Sequence, residues 1–122
     1  MNAAALDGLK VVELAEGVAG PYCGRLLAAF GAEVVKIERP QVGDWTRGAE
    51  PLLPDVDEPE SSALFLYLNT GKKSVTLDWH NAANRSALGG LLESADILVD
   101  SSPPGTLDNL GLGFDRLHEK YP

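Results

Sequence analysis

The stretch NTGKKSVTLDWH, Asn69 to His80, brings Gly71-Lys72 close to Ser74, the residue types with which a glycine-rich loop cradles phosphate. A P-loop requires glycine, four residues, then Gly-Lys-Ser/Thr, set between a strand and the helix that follows it. Here Leu66 stands five residues before Gly71, Lys73 replaces the Ser/Thr, and the pattern that follows is a strand. The stretch therefore reads as a polar turn that uses Gly71 for its conformation and exposes Lys72 and Lys73 to solvent.

A second glycine-rich turn runs from Gly17 to Gly24, but it lacks the G-x-G-x-x-G order of the dinucleotide fingerprint. Its helix N-terminus still offers free N–H groups to an anion. Glu38, 21 residues beyond Gly17, stands near the place of a ribose-binding acid. Arg39 follows it and has the chemistry to contact phosphate or stack on adenine; the plain alternative is an acid and base facing solvent at a strand end.

No catalytic constellation emerges from the remaining candidates. His80 and His118 have no partners at metal-ligand spacing, so no metal site is expected. Asp78 with His80 fits an acid–base pair, or Asp78 fits a turn or cap. Ser101 and Ser102 lack the context of a nucleophile elbow. Trp45 and Trp79 fit either a stacking role or a partly buried core role. Cys23, the single cysteine, cannot form an internal disulfide and sits in a helical pattern that predicts a buried thiol in a reducing compartment.

Short apolar runs at regular spacing must position these groups. KVVEL (10–14) and EVVKIE (33–38) read as strands flanking a helix that has Pro21 in its first turn. Tyr22, Leu26, Leu27, Ala29 and Phe30 make its expected apolar spacing, and Gly31 its end. Residues 39–61 dissolve into a proline-rich and acidic surface loop, of a length that often goes with a functional role. SALFLYLN predicts a short helix beneath it. SVTLD reads as a half-buried strand. HNAANRSALGGLLESA reads as a helix with Asn81 as a candidate N-cap and Ala87, Leu88, Leu91, Leu92 and Ala95 on one face. DILVD is the next strand, with two short helical pieces after it. The sum is one α/β layered domain with about four mostly parallel strands.

In such a sheet ligands bind outside the carboxyl ends of the strands. Every such end here carries turn-forming or polar residues: EGVAGP, ERP, LDWH and SSPPG. With 122 residues, 44% of them hydrophobic, the chain has the composition of one soluble globular domain. A formal net charge of -8 argues against nucleic acid and anionic membrane, both of which require a positive field. With no signal peptide and no apolar run of membrane-spanning length, a cytoplasmic location is expected.

Taken together, LDGLKVVELAEGVAGPYCGRLLAAFGAEVVKIERPQVGDWTRG, LNTGKKSVTLD, ADILVD and the SSPPGTLDNLGLGFDRL that follows it directly resemble the N-terminal portion of the family III coenzyme A transferases, which include formyl-CoA transferase, carnitine CoA-transferase and α-methylacyl-CoA racemase. The resemblance covers nearly the whole chain from Leu6. It implies a Rossmann-like large domain with a mostly parallel sheet, of which residues 1–122 are the first, CoA-binding part. It also implies a smaller domain and self-association, since the family forms interlocked dimers. The catalytic aspartate of the family lies further along than this chain reaches, and EKYP falls where the family enters its next strand. No catalytic residue is therefore expected here, and the implied ligand is coenzyme A or acyl-CoA as substrate.

Carried over position by position, the family's CoA contacts fall on Val18 and Ala19, on Arg39, on Leu77, Asp78, Trp79 and His80, on Ser101, Ser102 and Pro103, and on Asn109. The chain departs from the family at His80, where lysine is common, at Asn109, where arginine is common, and at Ser101, where asparagine is common. Two cationic partners of a charged ligand are thereby weakened. The resemblance thus leaves two functions open, a CoA-binding region inactive alone and a degenerate structural or interaction module.

Overall fold

A computed structural model of the chain describes residues 3–122. Strands β1 (Lys10–Leu14), β2 (Glu33–Glu38), β3 (Lys73–Thr76) and β4 (Ile97–Asp100) form one sheet in the order β3-β2-β1-β4, and every pairing in it is parallel. Parallel neighbours need a crossover between them. Helix α1 (Ala19–Ala29) supplies the one from β1 to β2, α2 (Ala63–Asn69) lies between β2 and β3, and α3 (Arg85–Glu93) leads to β4. Two short helices follow, α4 (Thr106–Asn109) and α5 (Phe114–Lys120).

Both faces of the sheet are covered, as a parallel sheet requires. On one face Leu88 and Leu92 of α3 close over Val12, Leu14, Ile37 and Trp79, with Leu107 and Leu117 packed beside them. On the other, Leu27 and Ala28 of α1 cover Val11, Ala32 and Val34. The face toward α1 is graded along the strands. It is apolar at Val11 and Val34, then becomes charged two residues on, at Glu13 and Lys36, both fully buried.

That gradient explains where the expected apolar spacing of α1 fails. Tyr22, Leu26 and Phe30 are 40%, 40% and 57% exposed, and Cys23 is exposed rather than buried. The buried positions are Pro21 and Gly24. A Cβ on Gly24 would run into the Glu13 carboxylate and stand 3.2 Å from Lys72 Cε. The helix therefore lowers its glycine edge onto the charged part of the sheet, and its larger side chains turn outward.

Three further expectations are corrected. β3 is an edge strand, and its four residues are exposed rather than alternately buried. In α3, Ala87 is exposed, and Leu88 and Leu92 carry the burial. Residues 39–61 are not a surface loop throughout: residues 50–60 are exposed, whereas in the first half Val42 and Trp45 are exposed but Asp44 and Thr46 are fully buried around the 3-10 turn Trp45–Gly48. Ser62 caps α2 by accepting the Phe65 N–H at 3.2 Å, which fits the predicted helix under the loop.

Candidate functional site

Parallel strands in register bring their carboxyl ends to one edge. Glu38 pairs with Thr76 and Leu14 with Asp100. The residues that follow are tied across the sheet. Leu77 N donates to Glu38 O at 2.9 Å, joining the ends of β3 and β2. Arg39, after β2, donates from Nε and Nη2 to the two carboxylate oxygens of Glu16, after β1, at 2.7 and 3.0 Å. Glu16 N donates to Ser101 Oγ, after β4, at 2.9 Å. The rim therefore runs Leu77–His80, Arg39, Glu16–Ala19, Ser101–Pro103.

Val18 and Ala19 start α1 at the centre of this rim and are exposed, Val18 with no side-chain cap. The first N–H groups of the helix are thus free of a capping side chain. Arg39 keeps a side chain 41% exposed, with two of its donors held by Glu16. Asp78 Oδ1 accepts the His80 N–H at 3.1 Å and lies 3.6 Å from His80 Nδ1. Trp79 is 5% exposed and inside the core, so its ring offers no face to a ligand. The exposed imidazole of His80 stacks on it, with ring centroids 5.3 Å apart. Ser102 N bonds Asp100 Oδ1 at 2.9 Å and Pro103 is exposed. Asn109 closes α4, exposed, with its N–H on Gly105 O.

Two expectations about charge change. Lys72 is not a solvent-facing lysine: its side chain is 2% exposed, and Nζ meets Glu13 Oε2 at 2.7 Å, Pro21 O at 2.7 Å and Asn69 Oδ1 at 2.9 Å. Only Lys73 of the pair is on the surface. Glu38 is not a free ribose-binding acid either. Its carboxylate takes both forks of Arg47 at 2.7 Å, the Ser74 hydroxyl at 2.8 Å and the Asp44 N–H at 3.1 Å. Burial would raise its pKa, but these donors outweigh burial and hold it at about 2. With its oxygens committed, Glu38 cannot take a ribose diol, and the dinucleotide reading of this strand end loses its ribose-binding acid.

Behind the rim lies a buried ionic cluster. Lys36 Nζ meets Glu13 Oε1 at 3.0 Å, Asp44 Oδ2 at 2.8 Å and Ala15 O at 2.6 Å. Burial pushes the Asp44 carboxyl upward, but Lys36 and Thr46 donate to it, and its pKa falls below the usual value. Burial is also the main reason that the Lys72 pKa is lowered, with Glu13 acting against it.

A cavity of about 440 Å³ opens elsewhere, between the free edge of β4 and α4–α5, lined by Leu98, Asp100, Leu107, Phe114 and Tyr121. It shares Ser102 and Pro103 with the rim. Among the described residues no group of three or more His, Cys, Asp or Glu is placed to hold a metal ion, and no helix is long and apolar enough to cross a membrane.

A parallel sheet with helices on both faces and its polar turns collected at the carboxyl ends is an α/β ligand-binding architecture. The model of CoA-transferase family III matches residues 6–122, and the chain belongs to that family. Formyl-CoA:oxalate CoA-transferases from Rhodopseudomonas palustris strain HaA2 and Bradyrhizobium sp. strain ORS 278 are 42% and 40% identical to it, over 97% of this chain. The chain spans 27% of the length of these relatives. A CAIB/BAIF family protein from Brucella suis superposes with a TM-score of 0.87 at 39% identity, over 99% of this chain and 32% of that one. A Mycobacterium tuberculosis protein, crystallised in an orthorhombic form, does so with a TM-score of 0.88 at 38% identity, over 98% and 32%.

Sequence reading missed Glu16 and Asp44, which bind the rim together. The signal for the buried cluster was present: parallel pairing of β1 and β2 puts Glu13 opposite Lys36, opposite charges inside two apolar runs.

Proposed function

We propose that this chain is the CoA-binding N-terminal region of a family III CoA transferase or related acyl-CoA racemase, and that it holds the ADP end of CoA at the rim but turns over no substrate alone. The observation that carries this reading is the bonded series of strand ends, with Arg39 and the uncapped start of α1 side by side in it. A guanidinium offers a flat face to adenine and further donors to phosphate oxygens. Backbone N–H groups at Val18 and Ala19 suit a pyrophosphate. Trp79 serves from beneath, as the support on which His80 rests. The domain division, a cytoplasmic location and self-association through the exposed Tyr22–Leu26–Phe30 stripe belong to the same proposal.

Isothermal titration calorimetry with CoA tests it. A saturable heat is expected, with no CoA transfer between carboxylic acids by the isolated chain; no heat at millimolar ligand would end the claim.

One observation favours the alternative, a degenerate module. Glu16 already neutralises Arg39, and the rim bears Asp78 and Asp100, with neither lysine nor arginine at positions 80 and 109. Replacing His80→Lys with Asn109→Arg separates the two readings. Tighter CoA binding is expected from a rim that still holds the ligand, and unchanged binding speaks for the degenerate module.

A further inference from the structure

The first turn of α1 has no side-chain cap, no acidic residue and a glycine edge, so little in its own sequence fixes it. It is anchored instead from below. Lys36 Nζ donates to Ala15 O at 2.6 Å, Asp44 Oδ1 accepts the Gly17 N–H at 3.3 Å, and Lys72 Nζ donates to Pro21 O at 2.7 Å. These three contacts bracket Val18, Ala19 and Gly20. Each ammonium lies within 3.0 Å of three oxygens, and Glu13 joins the two lysines, one to each carboxylate oxygen. The anchors come from β1, β2, the loop after β2 and the turn before β3, segments distant in sequence.

The placement argues against a role in packing alone. The same sheet face is apolar at Val11 and Val34 and becomes ionic only beside the rim. Hydrophobic residues of similar volume often serve stability as well as a buried ion pair does. They cannot reach a backbone carbonyl and hold it. We propose that Lys36 and Lys72, locked by Glu13 and Asp44, are positioning residues that preform the Ala15–Pro21 turn for its ligand. The ligand part of this statement rests on the CoA reading of the rim.

Three variants test it, by amide hydrogen exchange on the free chain and calorimetry with CoA. Lys72→Met removes the anchor on Pro21 O and leaves Glu13 under-compensated. Glu13→Gln with Lys72→Met restores neutrality but not the anchor. Lys73→Met, on the surface at the start of β3, removes an equal charge. Positioning predicts that the double variant regains thermal stability relative to Lys72→Met, while exchange at Gly17 and Tyr22, whose N–H groups bond Asp44 Oδ1 and Val18 O, stays faster than wild type relative to Val12 and Val35. If the preformed turn falls to a tenth of the population, CoA affinity falls about tenfold. Lys73→Met should change neither readout. Turn protection and affinity that return together with stability in the double variant would overturn the proposal and leave the lysines a packing role. If wild type binds no CoA, the rim reading falls, and the exchange pattern decides the anchoring by itself.

Discussion

Glu38 and Lys72 are two residues whose types suggest ligand contact and whose surroundings commit them to the fold. The Glu38 pKa lies below its ordinary 4.5, at about 2, so its ionised form is favoured by folding. Its contribution is present above pH 4.5 and is lost as the pH falls toward 2. A shift of that size corresponds to about 3 kcal/mol. Urea denaturation between pH 5 and pH 2 should show wild type losing that much more stability than Glu38→Gln; equal losses would contradict the assignment. Lys72→Met should destabilise by about 3–5 kcal/mol, because it strands a buried carboxylate. Lys73→Met should stay within about 0.5 kcal/mol, as surface substitutions do. Thermal denaturation of the two variants compares a buried with an exposed lysine adjacent in sequence.

Among the elements, α1 separates what periodicity can reveal from what it cannot. The alternation of β-branched runs with helical spacing was enough to foresee about four mostly parallel strands in a layered α/β domain. The buried side of α1 was not legible, because scoring apolar positions at helical spacing favours Tyr22, Leu26 and Phe30 over a glycine. Only the charges at Glu13 and Lys36 explain why Gly24 faces down. Gly24→Ala gains up to about 1 kcal/mol in helix propensity. It also forces a methyl against the Glu13 carboxylate, and overpacking of this kind costs about 1–3 kcal/mol. The second effect is expected to win, giving a lower denaturation midpoint; a stabilised Gly24→Ala would mean that α1 sits further from the sheet. Similarly, the rim residues Val18, Ala19, Arg39 and Ser101 were legible as strand ends. Their ties through Glu16 and Asp44 were not, since those depend on a loop whose path no local pattern dictates.

For the molecule as a whole, a net charge of -8 opposes the proposed binding of a polyanion. Long-range attraction is absent, so affinity must come from a few local donors and a preformed backbone. His80→Lys with Asn109→Arg adds two charge-assisted bonds worth about 1.5–3 kcal/mol each. Titration with CoA should register the gain most clearly at low salt, where exposed charges are least screened. Two places compete for a ligand, the rim and the cavity beside β4, and only the rim carries a guanidinium and an uncapped helix start. Mapping backbone amide shifts in an isotope-labelled chain on addition of CoA decides between them. Binding at the rim should shift Val18, Ala19, Arg39, Leu77–His80, Ser101 and Ser102. Shifts confined to Leu107, Phe114 and Tyr121 around the cavity, or none at all, would contradict it.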